Sequence, residues 1–172
     1  MVNLRSIVLG DFMRKNGQRG FSLIELLIVV AIILIIAAIA IPNLLRSKEA
    51  ANEASCVGSL RTLNTASITY SVTYGGYPAA LTKLAPVAAG TAATSTSADL
   101  IDSVLATGTK SGYSFAWSAG TTDNNGNYLN YSIAAQPTSP GTTGRRYFYT
   151  DQTGVIRAST AGVATVASTP LS

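Results

Sequence analysis

An unbroken apolar run dominates the first quarter of the chain. From Leu26 to Ile41 every residue is Leu, Ile, Val or Ala. Together with residues 21–25, the run would form a helix of about 31 Å at 1.5 Å per residue, which matches the hydrocarbon core of a bilayer. A helix buried in a soluble core seldom stays apolar on every face over such a length. The pattern therefore predicts a membrane-spanning helix over residues 21–42.

Helical periodicity continues beyond Pro42, where polar residues enter the pattern. Pro42 removes one backbone hydrogen bond and is expected to kink or loosen the helix. The amphipathic continuation is predicted over residues 43–74, because the paired glycines and the proline of residues 75–78 stop a helix. Its apolar stripe is expected to pack on a head domain and to bury the single cysteine. The stripe comprises Cys56, Leu60, Leu63, Ser67, Tyr70 and Tyr74.

The charged residues of this second half are interpreted as a solvated face. Glu49 and Glu53 lie four residues apart, with Arg46 and Lys48 nearby, and such exposed pairs stabilise a helix by only tenths of a kcal/mol. The adjacent Arg145 and Arg146 are likewise expected to be solvated.

Residues 75–172 are predicted to form a globular head that contains a short helix and several strands. Residues 77–112 are expected to form a connection with a short helix over residues 96–105, capped by Thr96. Alternating apolar and polar residues then predict antiparallel strands over residues 113–118, 128–134, 146–150 and 155–159, with a turn at residues 123–127 and loosely held residues from Ala161 onward. In the second strand, Leu129, Tyr131 and Ile133 are expected to share a face. The predicted fold class is α+β, with three or four strands packed on the helical stripe.

The segment before the apolar run has the wrong order for an ordinary secretion signal. Arg14, Lys15 and Arg19 stand directly before Gly20, and the apolar residues follow, whereas a usual signal peptide is cut after its apolar region. Cleavage after Gly20 would remove residues 1–20 as a leader and keep the anchor. The positive-inside rule predicts a cytoplasmic leader and a head on the outer side.

Glu25 is the single charge in the predicted span, and two interpretations of it remain open. A carboxylate at membrane depth costs at least a few kcal/mol, so such groups usually have a partner. In the first interpretation, Glu25 interacts favourably with the positive end of the helix dipole in the first turn. Alternatively, it pairs with a cation from another subunit, for which the new amino group of Phe21 after cleavage is a candidate.

The residues from Gly20 to Ile33 resemble the class III signal of type IV pilins and pseudopilins. The shared order is glycine, aromatic, small polar residue, two aliphatics, glutamate and a long aliphatic run, and the resemblance continues through Pro42. It covers about the first third of the chain strongly. It implies cleavage between Gly20 and Phe21 by prepilin peptidase, N-methylation of Phe21, and polymerisation with other copies at an inner-membrane assembly platform. It also implies that Glu25 pairs with a neighbour's amine or guides incorporation, and that Pro42, which matches the family's helix-kinking proline region, takes part in assembly.

Composition removes several classes of function. The formal net charge is +4, but the leader supplies +3 of it (four basic residues against Asp11), so a nucleic-acid partner gains no support. The chain has no histidine, which excludes histidine-based catalysis and imidazole metal sites and argues against an enzyme. With one cysteine no intrachain disulfide can form, which departs from many pilins.

No cofactor is predicted, and calcium has only weak candidate ligands. Asp123, Asn125 and Asp151 offer oxygen atoms, but the EF-hand spacing is absent and turn roles are expected instead. The predicted function is a structural subunit of a type IV pilus-like filament, in the bacterial inner membrane and then at the cell surface, with membrane lipid as an early partner. The alternatives are a major pseudopilin of type II secretion and a monomeric membrane-anchored binding module.

Overall fold

The computed structural model describes residues 20–171. The predicted leader therefore lies outside the described residues, apart from Gly20. The described chain falls into two compact units, one up to Ala40 and one from Ile41 onward.

The first helix, α1, extends over Leu23–Tyr74 and includes Pro42. Its predicted end at Tyr74 is confirmed. Gly75 follows with a φ of +85° and donates its N–H to the Ser71 carbonyl at 2.9 Å, which is the left-handed glycine cap that commonly closes a helix. Pro42 does not end the helix, because neighbouring turns retain their own hydrogen bonds.

A six-stranded antiparallel sheet follows, in which each strand pairs with the next one along the chain. The strands are β1 (Thr109–Lys110), β2 (Tyr113–Ala119), β3 (Tyr131–Pro137), β4 (Tyr147–Asp151), β5 (Arg157–Ser159) and β6 (Thr169–Pro170). The α+β class is confirmed, but the prediction of three or four strands is wrong. The additional strands, β1 and β6, have two residues each, too few to show an alternating pattern.

Strand β3 begins three residues later than predicted. Residues 120–130 form a loop instead, in which Asn130 accepts the Gly120 N–H through its carbonyl and the Thr121 N–H through its side chain, both at 2.9 Å. Leu129, expected to share the buried face of Tyr131 and Ile133, is 57% exposed. The side chain of Asn130 thus closes the loop before the sheet pairing starts.

The short helix between α1 and the sheet also differs from its prediction. Helix α2 spans Ser103–Ala106, and its cap is Asp102, whose carboxylate accepts the Leu105 N–H at 2.9 Å. Thr96 caps nothing. Asp99 has a φ of +54°, which is incompatible with a right-handed helix, and Leu100 donates its N–H to the Leu84 carbonyl. The segment before α2 therefore runs along the 3₁₀ helix Leu81–Leu84.

The core lies between one face of the sheet and the apolar stripe of α1. The helical contribution is as predicted, with Cys56, Leu60, Leu63, Ser67 and Tyr70 all buried. The main sheet residues of the core are Tyr113, Phe115, Tyr131, Ile133, Ala135 and Phe148. The helix residues 56–70 and the sheet thus form a single compact head.

The last residues are held more firmly than predicted. Strand β6 pairs with β5, Ala164 is buried, and Leu171 donates its N–H to the Ile156 carbonyl at 2.8 Å. The expectation of a loosely held end from Ala161 is therefore wrong, because backbone pairing, which small side chains do not reveal, orders it.

Candidate processing and assembly site

The predicted cleavage position is sterically open. Among residues 20–171, no atom lies within 4 Å of the place that a Cβ on Gly20 would occupy, and Phe21 is 85% exposed. Neither residue belongs to a helix or strand. A protease can therefore approach the bond between Gly20 and Phe21 from several sides, and cleavage there stays a prediction.

Glu25 caps the first turn of its own helix. The Ser22 N–H donates to Glu25 Oε2 at 2.8 Å, and the Ser22 carbonyl accepts the Leu26 N–H at 3.2 Å. Because α1 begins at Leu23, Ser22 is the cap residue and Glu25 is the third helical residue. The hydrogen bond from the cap residue's N–H to the glutamate side chain is one of the two hydrogen bonds that define a capping box. Sequence reasoning missed it, although a serine followed three residues later by a glutamate is the usual signal.

The first unit presents apolar side chains on all its faces. Between Leu23 and Ile39, the large apolar residues are exposed by between 46% and 80%, and soluble monomers rarely expose contiguous apolar patches beyond a few hundred Å². Within the described residues, α1 is the one helix long and apolar enough to cross a membrane. This surface therefore requires lipid or other protein chains to cover it.

Pro42 lies inside α1 at the start of the second unit. Its missing N–H leaves one carbonyl of the preceding turn without a helical donor. The predicted role of Pro42 in assembly stays a prediction.

Two carboxylates of α1 hold the loop between β3 and β4, residues 138–146. Glu53 Oε1 accepts the backbone N–H groups of Arg145 and Arg146 at 2.9 and 3.1 Å, and its Oε2 accepts Arg146 Nε at 2.7 Å. Glu49 Oε2 accepts Arg145 Nε at 2.9 Å. Both glutamates are less than 10% exposed. The interpretation of these glutamates as a solvated face is wrong, as is that of Arg145 and Arg146 as simply solvated, because the loop covers this face of the helix.

The electrostatics of Glu53 follow from these contacts. Burial alone would raise the pKa of its carboxyl, but the backbone hydrogen bonds from Arg145 and Arg146 and the Arg146 guanidinium outweigh burial and hold the pKa below its usual value. Glu53 is thus ionised at neutral pH and fixes the position of the loop.

Cys56 is a core residue, as predicted. It is 1% exposed, and burial, together with the negative charge of Glu53, raises the pKa of its thiol. A neutral, inaccessible thiol is a poor nucleophile.

The weak calcium candidates are engaged in their own turns. Asp123 accepts the N–H groups of Asn125 and Asn127 at 2.8 and 2.9 Å. Asp151 accepts the N–H and the hydroxyl of Thr153. Within residues 20–171, no three carboxylate, cysteine or histidine side chains come together as a metal site.

The N-terminal segment matches a known family model. The model for the prokaryotic N-terminal methylation motif matches residues 15–41, which include Gly20, Phe21 and Glu25. The match covers the segment in which the sequence predicts cleavage and methylation.

The proteins to which the chain is similar include both pilins and secretion proteins. The chain is 35% identical over 66 residues to the type II secretion system core protein G of Klebsiella michiganensis, which is 38% of this chain and 46% of that protein. It is 58% identical over 38 residues to the type IV wide pilus major component PilA4 of Thermus thermophilus, 22% of this chain and 29% of that protein. It is 51% identical over 49 residues to the type IV major pilin protein PilA of Myxococcus xanthus, 28% of this chain and 22% of that protein.

The pilin matches thus have higher identity over shorter stretches. The chain spans less than half the length of each of these curated relatives. No solved structure gave a significant match.

Proposed function

We propose that this chain is a structural subunit of a type IV pilus-like filament. Prepilin peptidase cleaves it between Gly20 and Phe21 and methylates the new amino group, and an inner-membrane platform polymerises it with other copies. The observation that carries this proposal is the exposed apolar helix with a single carboxylate in its first turn.

Assembly exchanges one apolar environment for another. In the bilayer, lipid covers the apolar side chains of residues 23–41, and in the filament the same side chains contact the helices of neighbouring copies. Leaving lipid is thermodynamically acceptable only if this contact is tight, because lipid tails are as apolar as the side chains themselves. Packing alone leaves several axial positions of similar free energy, so a polar contact is required to select one.

Glu25 supplies that contact. In the single chain, its carboxylate accepts the Ser22 N–H and retains acceptor capacity, since an ionised carboxylate offers about four lone-pair sites. The Phe21 amino group of a neighbour, placed at one stagger, neutralises this charge. At other staggers the carboxylate stays unpaired in an apolar core, which is strongly unfavourable.

The test compares Glu25→Ala with Glu25→Gln. Both variants should insert and be cleaved, as intact-mass spectrometry of the membrane protein measures through loss of residues 1–20 and gain of one methyl group. Both should fail to give filaments in electron micrographs of sheared surface material. Glu25→Gln retains an acceptor for the Ser22 N–H, so it separates the charge from the helix cap.

Normal filaments from Glu25→Ala would refute the role of Glu25 in register. Normal filaments from Glu25→Gln alone would assign the residue to capping. Retention of residues 1–20 in the wild-type protein would contradict the whole proposal and favour a monomeric membrane-anchored binding module.

A major pseudopilin of type II secretion is the second candidate. The observation in its favour is that core protein G relatives match over 61 to 66 residues, longer than either pilin match. Deletion of the gene should then abolish secretion of exported enzymes while leaving few surface fibres to lose. A calcium-dependent rise in the Tm of the head would also favour this candidate, whereas the turn contacts of Asp123 and Asp151 predict no rise.

A further inference from the structure

A cleft of about 260 Å³ opens between α1 and the loop of residues 138–146. It lies wholly within the second unit. Pro42 and Leu45 contribute its apolar lining. The polar side chains that line it are Arg46, Glu49, Thr142 and Arg145.

The cleft carries an excess of positive charge. Arg145 uses its Nε to bind the Glu49 carboxylate at 2.9 Å, and its side chain is 65% exposed. Because a guanidinium has five N–H donors, four remain for another acceptor. Arg46 is exposed and forms no ion pair with any described residue. Two arginines against one glutamate leave the cleft at +1.

The donors in the cleft match an oxyanion with several acceptor atoms. Paired guanidinium groups bind phosphate in a fork geometry that lysine does not reproduce. The Thr142 hydroxyl adds a donor, since it has no hydrogen bond to any other described residue. Glu49 does not oppose an anion strongly, because Arg145 already neutralises its buried carboxylate.

The cleft directly adjoins an apolar collar on the same unit. Ile41, Leu44 and Leu45 are 56%, 69% and 48% exposed, and Arg46 follows Ile41 by about 8 Å along the helix axis at 1.5 Å per residue. An apolar surface bordered by arginine and lysine is the pattern of a segment at the headgroup level of a membrane. The cleft is therefore at the depth of lipid phosphates when α1 is inserted.

The predicted topology makes these basic residues unusual. With a cytoplasmic leader, Arg46 and Lys48 lie on the outer side, where the positive-inside rule does not place basic residues. Binding of an anionic ligand at this position would explain why basic residues lie on the outer side.

We propose that this cleft binds the phosphate group of an anionic phospholipid headgroup. Arg46 and Arg145 hold the phosphate oxygens, Thr142 donates a further hydrogen bond, and Leu45 and Pro42 contact the adjoining glycerol and acyl carbons. The apolar collar favours a lipid over free inorganic phosphate, which would gain nothing from it. This inference rests on the membrane anchoring in the proposed function and not on filament assembly.

The test measures lipid retained by the full chain in neutral detergent. Native mass spectrometry counts bound phosphatidylglycerol over a range of lipid concentrations for the wild type, Arg46→Gln and Lys48→Gln. Lys48 is the matched control, because it lies on the helix face of Ile41 and Leu44, outside the cleft, and its substitution removes the same charge. Uncharged micelles abolish the membrane surface potential, so only direct contacts contribute.

Arg46→Gln should weaken phosphatidylglycerol binding about tenfold, which corresponds to the loss of one hydrogen bond between charged groups. Lys48→Gln should change it less than about twofold, since it removes no contact. Phosphatidylcholine should bind more weakly than phosphatidylglycerol, and inorganic phosphate should not displace the lipid at equal concentration.

Equal losses in the two variants, or no retained lipid, would overturn the proposal. Displacement by equimolar inorganic phosphate would overturn the lipid assignment and make this a site for the free ion. Both residues are exposed, so unchanged thermal unfolding should verify that each variant is folded. Because the assay uses the chain in detergent, its result does not depend on whether the chain forms filaments.

Discussion

The two-carboxylate contact between α1 and residues 138–146 makes the stability of the head depend on Glu53. In Glu53→Ala, the backbone N–H groups of Arg145 and Arg146 lose their acceptor, and Arg146 Nε loses its partner. A buried donor without a partner costs about 1–3 kcal/mol. Both N–H groups are only partly buried, so each contributes at the lower end of that range. The Arg146 side chain is 42% exposed, so water replaces part of the ion pair and that contact is discounted. We therefore expect Glu53→Ala to lose about 2–4 kcal/mol of unfolding free energy.

Glu53→Gln isolates the contribution of charge. Its amide oxygen can still accept the two backbone N–H groups, but its NH₂ group faces the Arg146 guanidinium, a donor against a donor. The expected loss is about 1–2 kcal/mol, the difference between a hydrogen bond to a charged acceptor and one to a neutral acceptor. Lys48→Gln, an exposed substitution without contacts, should remain within about 0.5 kcal/mol of the wild type.

The assay is urea unfolding of the full chain in neutral detergent, followed by tryptophan fluorescence. Trp117 is the single tryptophan and stacks on Tyr131 with ring centroids 4.7 Å apart, so its emission reports on the head. The pKa of Glu53 is lower in the folded state than its ordinary value of 4.5. The stabilisation is therefore fully present well above pH 4.5 and is lost as the pH falls through the folded value.

The wild type and Glu53→Gln should consequently converge in stability in acid. A Glu53→Ala variant within 0.5 kcal/mol of the wild type would refute the reasoning from buried donors. A difference between the wild type and Glu53→Gln that stayed constant from pH 7 to strong acid would refute the reasoning from charge.

Two further predictions concern the core of the head. A maleimide should label Cys56 in the native full chain no faster than the head opens, because the thiol is buried and its pKa is raised; rapid labelling without denaturant would contradict this. Gly144→Ala should destabilise the head by about 1–3 kcal/mol, typical of overpacking, because a Cβ would lie 2.1 Å from the Tyr113 hydroxyl oxygen. Gly58→Ala is its control in chemical unfolding, since its Cβ would meet open space and alanine is favoured inside a helix such as α1; equal losses in the two variants would refute the clash with Tyr113.

Features that depend on residues close together in the chain were predicted most accurately from the sequence. The glycine that ends α1, the alternation in β2 and the helical spacing around Cys56 are local patterns, and each led to the correct element. Gly20, Phe21 and Glu25 of the predicted processing and assembly site lie within six consecutive positions, so their motif can be recognised in the sequence in the same way. The hydrogen bond by which Glu25 caps the helix could also have been predicted, because Glu25 lies three residues after Ser22.

The burial of Glu49 and Glu53 was not predictable in this way. Their partners lie 92 to 96 residues further along the chain, and a charged helix face has the same sequence pattern whether water or a loop covers it. The lipid cleft depends on the same distant loop. Strands β1 and β6 escaped prediction for another reason, since a two-residue strand is defined by backbone pairing and not by its side chains.

The sequential order of the sheet has a practical consequence for engineering. Each strand pairs with the next strand along the chain. A connection between two strands can therefore be lengthened without changing the pairing of the other strands. The hairpin of residues 120–130 accommodates an inserted epitope on this basis, with Gly126 at an open position. The connection of residues 138–146 does not, because Glu49 and Glu53 tether it to the helix. Peptide display on the proposed filament should therefore use the first connection and leave the second intact.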